Sequence, residues 1–386
     1  VGACDPTPWP LQMGAEGCQT DAGEAWLCPA VRQILLQIAN DPTLDHEYLP
    51  VLGFPQFTQA ATELALGRAS CAVLENRAGG VHTVGGTGAV RIGAEFLQRW
   101  YDRRSPSPVA VYIALPQWDS LRCIFQDAGF TDIRPYHYWD TGRLAVAIED
   151  FLEALESAPD HSIVVLYAPE EIGLSPKQWE EVARTMRKHL FPFFDVPAQG
   201  LVSGDLDRDA WALRHFVAQG FELFCAQSFS KTFGLYDERV GNLIVVAKDN
   251  ETLARIHSQL QKQVMATWAA PANLGARIIA TVLTNPALLA VVLCEQSQIR
   301  EKLRILGTPG CWEHLTTQSG TRSFTGLLPS QVAFLEQHKH IYLHGSGQIS
   351  ICSVNSHNLD YVAQSINEAV SATAQGELGL DWGETE

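Results

Sequence analysis

The chain has 386 residues, of which 46% are hydrophobic and 18% are charged, a composition typical of folded globular proteins and outside the range of disordered ones. Its length favours two domains, because one hydrophobic core rarely serves so long a chain. The formal net charge of −16 argues against nucleic acid or an anionic membrane surface as a partner. The apolar runs are much shorter than a bilayer span, so no membrane-spanning helix is predicted.

The first residues and the cysteines predict the cellular compartment of the protein and the redox state of its thiols. Val1 to Pro10 lack the order of a signal peptide and do not begin with Met, so we expect a cytoplasmic protein whose start extends further upstream. Nine cysteines form no CxxC pair and leave an odd count, which favours reduced thiols. His338 and His340 have no flanking ligands, and no metal site is predicted.

Helix-like and strand-like segments alternate along the chain, which predicts an α/β fold with a largely parallel sheet. Helices are predicted at Ala30 to Ile38, Gly85 to Trp100, Lys177 to His189 and Arg208 to Ala218. Strands are predicted at Val109 to Leu115, Ser162 to Tyr167, Phe191 to Phe194, Leu223 to Ala226 and Leu243 to Ala247.

After about Asn285 the pattern changes to a helix followed by short strands, His340 to Leu343 and Gln348 to Cys352, which predicts a smaller second domain. We therefore expect an N-terminal segment (1–30), a large domain (31–284), a small C-terminal domain (285–375) and a disordered acidic tail (376–386). The predicted alternation places Gly85, Asp195 and Lys231 at or just beyond strand ends, where open α/β sheets usually bind ligands.

The first candidate site is Gly85-Gly86-Thr87-Gly88, which opens a predicted helix. Its small residues allow close backbone approach, and the helix start offers N–H groups to an anion. The segment matches neither the GxGxxG fingerprint nor a Walker loop, so an ordinary turn is an equally good interpretation.

The second candidate is Lys231, which follows Ser228 and Ser230 and precedes Arg239. A lysine among small hydroxyl residues after an apolar strand is suited to Schiff-base chemistry, and the serines with the arginine suit a phosphate. The third candidate, Asp195, ends an apolar strand and needs a cationic or hydrogen-bonding partner. A pyridinium nitrogen is one such partner, and a buried helix cap or ion pair is the alternative.

The segment Ala226 to Asn242 resembles the pyridoxal-lysine signature of the aspartate aminotransferase family. Further matches lie in the family's order at His46 to Pro50, Gly79 to Ala89, Thr267-Trp268 and Lys339 to Leu343. The resemblance implies a fold-type I transferase that binds pyridoxal 5'-phosphate. It also implies a mostly parallel seven-stranded sheet in a large domain, and a smaller α/β domain.

The resemblance implies a role for each matching residue. Lys231 would carry the cofactor and move the substrate's α-proton, and Asp195 would keep the pyridine nitrogen protonated. The phosphate would be held by Gly86, Thr87, Ser228, Ser230 and Arg239, together with Tyr48 of a neighbouring subunit. Trp118 would stack on the ring, and a homodimer follows because family sites use both chains.

The departures from the family pattern are concentrated around the substrate. Gln348 and Met265 stand where the family carries the two arginines that bind the substrate's carboxylates. Ala198 and Leu121 replace a tyrosine and a histidine near the cofactor, and Glu16 replaces a glycine. Since a neutral amide or thioether cannot replace bidentate guanidinium pairing, we expect weak or lost activity on acidic substrates.

Three functions remain open from the sequence. The first is an aspartate aminotransferase-like enzyme that acts on a small amino acid and a 2-oxo acid. The second is a catalytically inactive protein that acts through cofactor binding or dimerisation. The third is a pyridoxal phosphate enzyme with altered amino-acid specificity or altered chemistry.

Overall fold

A computed structural model of the chain divides into two compact units, Leu27–Ser297 and the pair of segments Val1–Trp26 and Gln298–Glu386. The domain boundaries expected from the sequence stay predictions. The structure describes residues 11–13, 28–102, 107–115, 118–140, 145–168, 173–187, 189–201, 203–292, 322–324, 327–343, 347–350, 353 and 358–374. The predicted acidic tail lies outside these residues.

The strands are β1 (Leu11–Gln12), β2 (Ala78–Val84), β3 (Ala110–Ala114), β4 (Asp132–Tyr136), β5 (Trp139–Asp140), β6 (Ala145–Val146), β7 (Ile163–Tyr167), β8 (Phe191–Val196), β9 (Leu223–Ser228), β10 (Val240–Val246), β11 (Arg322–Phe324), β12 (Ile341–Tyr342) and β13 (Gln348–Ser350). The helices are α1 (Pro29–Ala39), α2 (Pro55–Leu66), α3 (Cys71–Leu74), α4 (Gly85–Trp100), α5 (Trp118–Asp127), α6 (Ile148–Ser157), α7 (Pro176–Met186), α8 (Leu206–Asp209), α9 (Trp211–Ala218), α10 (Ser230–Phe233), α11 (Asn250–Thr267), α12 (Leu274–Thr284), α13 (Pro286–Val292), α14 (Pro329–Lys339) and α15 (Leu359–Ala374).

A seven-stranded sheet in the order β2-β10-β9-β8-β7-β3-β4 forms the centre of the larger unit. Strand β10 is antiparallel to both β2 and β9, and the remaining pairs are parallel. The prediction of a mostly parallel sheet in an α/β fold is confirmed. Because β9, β8, β7 and β3 run the same way, their carboxyl ends lie along one edge of the sheet.

Both faces of this sheet are buried, which explains the nearly continuous apolar strands. On one face, Phe193 packs against α4 so closely that a Cβ added at Gly93 would lie 2.8 Å from its ring. On the other face, Phe194 stands 5.1 Å from Phe216 of α9 and 6.1 Å from Trp179 of α7, measured between ring centroids. Alternate residues of β8 therefore anchor two separate helical layers.

Helix starts follow local sequence signals. Ser175 and Gln178 form a capping box at the start of α7, and Pro176 occupies its first turn. The predicted helix Lys177 to His189 is therefore observed slightly earlier, as Pro176–Met186. The segment predicted as one helix, Arg208 to Ala218, forms the two helices α8 and α9.

The described residues of the smaller unit contain short strands and the helices α14 and α15. Strand β1 pairs in parallel with β12, and β11 pairs antiparallel with β13. Its core includes Met13, Leu335 of α14 and Ala369 of α15, all fully buried.

Among the described residues, no single helix is long and apolar enough to cross a membrane, and one bent pair, α12 with α13 at 106°, meets the test by length and composition only. The described ranges also hold no group of three or more His, Cys, Asp or Glu side chains that could bind a metal ion.

Candidate active site

Three segments meet at the carboxyl edge of the parallel strands: the start of α4, the end of β9 and the start of β10. Gly241 of β10 pairs with Ser228 of β9. A Cβ added at Gly241 would lie 2.2 Å from the carbonyl oxygen of Gly85 and 2.8 Å from the amide nitrogen of Gly86. The backbones of α4 and β10 therefore approach as closely as only glycine allows.

Gly85 fixes the position of Arg239 at this meeting point. Its φ of +69° lies in the left-handed region, and its N–H donates to the carbonyl oxygen of Arg239 over 2.7 Å. Nη2 of Arg239 would lie 2.9 Å from a Cβ added at Gly85. The guanidinium group is thus placed directly over the beginning of α4.

The first turn of α4 offers hydrogen-bond donors that the helix itself cannot use. The N-cap residue, Val84, provides no side-chain acceptor for them. The amides of Gly86 and Thr87 have no intrahelical acceptor, and the helix dipole adds positive potential at the same point. Together with Arg239, these groups form a cradle of hydrogen-bond donors whose chemistry suits an anion.

Two serines complete the cradle. The β-carbon of Ser228 is 2.9 Å from the position of a Cβ added at Gly86, and the amide of Ser230 donates to Ser228 Oγ over 3.4 Å. The Oγ of Ser230 is buried and has no partner among the described residues. A buried hydroxyl without a partner costs about 1–3 kcal/mol, so this atom is suited to a group bound from outside.

Lys231 lies on α10, a single turn that begins at Ser230 and ends at a left-handed Gly234. The side chain is half-buried. Phe229 precedes the turn and Phe233 ends it, with ring centroids 6.0 Å apart, and Phe229 also contacts Phe57 of α2 at 5.3 Å. Aromatic packing thus holds a helix that is too short to be stable alone.

Asp195 lies between Tyr167 of β7 and Ala226 of β9 in the sheet register. It follows Phe193 by two residues, so its side chain is on the α4 face of the sheet. Although the residue keeps some accessible surface, burial raises the pKa of its carboxyl to about 7, and the positive charge of Lys231 opposes this shift. Asp195 and Lys231 are therefore electrostatic neighbours.

Buried polar side chains that no sequence motif marks support these segments. Asn242 Nδ2 donates to Gln227 Oε1 over 2.8 Å, and Gln227 Nε2 donates to the carbonyl oxygen of Ala61 over 3.1 Å. Gln199 Nε2 donates to the carbonyl oxygens of Leu64 and Leu206 over 3.1 Å each. Glutamine and asparagine inside apolar strands or loops were the only sequence signal for this network.

The fold and the site agree with one known family. Residues 11–366 match the family model for aminotransferase class I and II. The chain belongs to the class I and II aminotransferases. The resemblance drawn from its motifs is confirmed.

Known relatives match this aminotransferase along nearly its whole length. It is 48% identical over 377 residues to the cytoplasmic aspartate aminotransferase of Gallus gallus, covering 94% of this chain and 92% of the relative. The cytoplasmic aspartate aminotransferase structure from Saccharomyces cerevisiae is 32% identical, with a TM-score of 0.88 and coverage of 96% and 94%. An aromatic-amino-acid aminotransferase from Burkholderia pseudomallei, covalently bound to pyridoxal phosphate, is 30% identical, with a TM-score of 0.87 and coverage of 95% and 94%.

The remaining predicted residues of this aminotransferase lie in different environments. Tyr48 exposes 88% of its surface and Met265 exposes 55%, so neither is enclosed by its own chain. Leu121 and Ala198 are buried. Trp118 begins α5, and its side chain lies outside the described part of the structure.

Two predicted substrate-site positions of the aminotransferase have no described side chain. Gln348 is the first residue of β13, but its side chain is outside the described residues, as is the whole of Glu16. Their proximity to a substrate stays a prediction from the resemblance.

Proposed function

We propose that the chain is an aminotransferase that binds pyridoxal 5'-phosphate covalently at Lys231 and acts on a small amino acid and a 2-oxo acid. The observation that carries this proposal is the electrostatic influence of Lys231 on the buried carboxyl of Asp195, beside a cradle that contains the buried, unpartnered hydroxyl of Ser230. The chicken relative's name supports the cytoplasm as the compartment.

The cradle fits the phosphate of this cofactor. A phosphate is a dianion with oxygens that accept several hydrogen bonds, and the cradle offers the amides of Gly86 and Thr87, the hydroxyls of Ser228 and Ser230, and the Arg239 guanidinium. A Cβ at Gly85 or Gly241 would fill space that this backbone arrangement requires. The residues present therefore suit the group that the resemblance implies.

Asp195 suits the pyridine nitrogen for an electrostatic reason. Its carboxyl is desolvated, and a pKa near 7 means that its charge is poorly stabilised by the protein alone. A protonated ring nitrogen would supply the missing partner and would itself be held in the protonated form. The cofactor, when bound, supplies an electron sink for the substrate's carbanion.

Lys231 has two tasks in this proposal. Its amine would hold the cofactor covalently, and once an incoming amino acid has displaced that amine, it would be placed to take up the substrate's α-proton. Lys231 is half-buried, and the nearby carboxyl of Asp195 adds to the local electrostatic field.

Substrate choice follows from the two missing arginines. Each charge-assisted contact contributes about 1.5–3 kcal/mol, so replacing both by Gln348 and Met265 removes about 3–6 kcal/mol of binding to an acidic substrate. That loss corresponds to about two to four orders of magnitude in kcat/KM. We therefore propose weak activity on aspartate and relatively better activity on less acidic amino acids.

A homodimer completes the proposed site. The 88% exposure of Tyr48 leaves its hydroxyl accessible to a second copy of the chain, where it would reach the phosphate. Met265, also exposed, would face the second copy's substrate.

A panel of amino acids tests this function. The purified chain is loaded with pyridoxal phosphate, and the loss of the cofactor's visible absorbance is followed after adding aspartate, glutamate, and neutral and aromatic amino acids separately. Faster loss with a neutral or aromatic amino acid than with aspartate is expected. Fastest loss with aspartate would contradict the altered preference, and no loss with any amino acid would favour an inactive, cofactor-binding protein.

A further inference from the structure

Gln199 connects the loop that follows Asp195 to three other elements. It is 4% exposed, and its Nε2 donates to the carbonyl oxygens of Leu64 in α2 and Leu206 in α8, over 3.1 Å each. Its own carbonyl oxygen accepts a hydrogen bond from Thr232 Oγ1, also over 3.1 Å. Gln199 therefore joins α2, α8 and α10 at one buried point.

Thr232 links the hydrogen bonds of Gln199 to Lys231, the proposed cofactor lysine. It follows Lys231 directly on α10 and is 4% exposed. Its hydroxyl gives α10 a polar contact with the loop after β8, in addition to the packing of Phe229 and Phe233. Because α10 has a single turn, its contacts with other elements determine the position of Lys231.

The loop that receives this hydrogen bond is itself fixed. The amides of Gly200 and Ser203 donate to the carboxylate of Asp209 over 2.7 and 3.0 Å, and Asp209 is buried. Gly200 adopts a φ of +90° to make this turn. A carboxylate that accepts amide bonds in a buried position makes a rigid support.

We propose that Gln199 and Thr232 are positioning residues that set the separation between the Lys231 amine and the Asp195 carboxyl. The proposal rests on the proposed function of Lys231 as the cofactor lysine. Asp195 is four residues before Gln199, and Lys231 is one residue before Thr232. The hydrogen bond from Thr232 Oγ1 to the backbone carbonyl oxygen of Gln199 therefore closes a short path between the two proposed reactive groups.

Three matched variants test this role. Thr232→Val keeps the shape and removes the hydroxyl, and Thr232→Ser restores it. Thr281→Val is the control, because Thr281 Oγ1 also donates to a backbone carbonyl oxygen, that of Arg277 at 2.8 Å, but within the single helix α12.

Two measurements report the position of the Lys231 amine more directly than the rate of turnover does. The first is the rate at which pyridoxal phosphate is trapped on Lys231 by borohydride, measured by mass spectrometry of the Lys231 peptide. The second is the pH midpoint of the bound cofactor's visible absorbance, which responds to the electrostatic surroundings of the amine.

Thr232→Val is expected to slow trapping about fivefold, which corresponds to the roughly 1 kcal/mol of one neutral hydrogen bond, and to move the pH midpoint by about half a unit. Thr232→Ser should lie within about twofold of the parent, and Thr281→Val should leave both readouts unchanged. Gln199→Leu should have a larger effect. If it fails to fold, Thr232→Val decides the question alone.

Parent-like trapping and an unchanged pH midpoint in a folded Thr232→Val chain would overturn the positioning role. An equal effect from Thr281→Val would also overturn it, because the change would then be a general loss of stability. A parent chain whose Lys231 is never trapped would instead overturn the proposed function, and the positioning role with it.

Discussion

The close approach of β10 and α4 makes Gly241→Ala the sharpest perturbation of the cradle. The added Cβ would lie 2.2 Å from the Gly85 carbonyl oxygen, whereas ordinary contacts begin at 3.4 Å. The atoms in contact belong to the backbone, so either the strand or the helix start must move by about 1 Å. Such overpacking costs about 1–3 kcal/mol of stability.

The same displacement moves the donors that would hold the phosphate. We expect Gly241→Ala to weaken pyridoxal phosphate binding at least about tenfold, equivalent to about 1.4 kcal/mol, in a spectrophotometric titration. Gly88→Ala is the matched control, because its Cβ would meet Thr83, Val84 and Trp268 no closer than 3.6 Å. Alanine also suits a helix better than glycine, so this variant should bind the cofactor normally and melt at the same or a higher temperature. Parent-like affinity in Gly241→Ala would refute the assigned cradle.

Three other changes test separate parts of the account. Between about pH 4 and pH 7 the folded, cofactor-free chain binds more protons at Asp195 than the unfolded chain does. The contribution of Asp195 to the free energy of unfolding therefore falls as the pH rises through this range. Asp195→Asn should make the free energy of unfolding, measured in urea titrations, less dependent on pH in this range. Restoring both arginines in a Met265→Arg, Gln348→Arg double variant should raise kcat/KM for aspartate by about two to four orders of magnitude, while a Met265→Leu, Gln348→Asn control should not. Asn242→Leu should lower the free energy of unfolding by about 1–3 kcal/mol, because it leaves the buried Gln227 Oε1 without its donor, and an unchanged melting curve would contradict this.

The central sheet could be predicted from the sequence because its strands are buried on both faces and therefore read as short apolar runs. The runs predicted at Ser162 to Tyr167 and Val109 to Leu115 are observed as Ile163–Tyr167 and Ala110–Ala114. Helix α4 has the predicted bounds, because a glycine turn opens it and an apolar stripe continues to its end.

Local sequence patterns did not predict the start of strand β10, where tertiary contacts determine the backbone conformation. Strand β10 begins three residues before the predicted Leu243, since Val240-Gly241-Asn242 includes a glycine and an amide that no strand pattern favours. Those residues are extended because β10 pairs with β2 and β9 on both sides. Pairing of this kind is not visible in a local window.

The candidate reactive residues could be proposed from the sequence, but the side chains that support them could not. Lys231, Asp195 and the glycine turn stand out by residue type and by their place after apolar strands. No local pattern marks Gln199, Thr232 and Asp209, because their structural role depends on hydrogen bonds to backbone carbonyls and amides elsewhere in the chain. Asp209, for example, resembles any exposed helix carboxylate until the turn at Gly200 closes over it.

The most direct test of the central claim is the visible absorbance of the chain after incubation with pyridoxal phosphate and gel filtration, compared among the parent, Lys231→Ala and Lys248→Ala. Lys248 is an exposed lysine at the opposite end of β10, which makes it a fair control for non-specific reaction. We expect a stable cofactor band in the parent and in Lys248→Ala, and none in Lys231→Ala. A band of equal intensity in Lys231→Ala would contradict it.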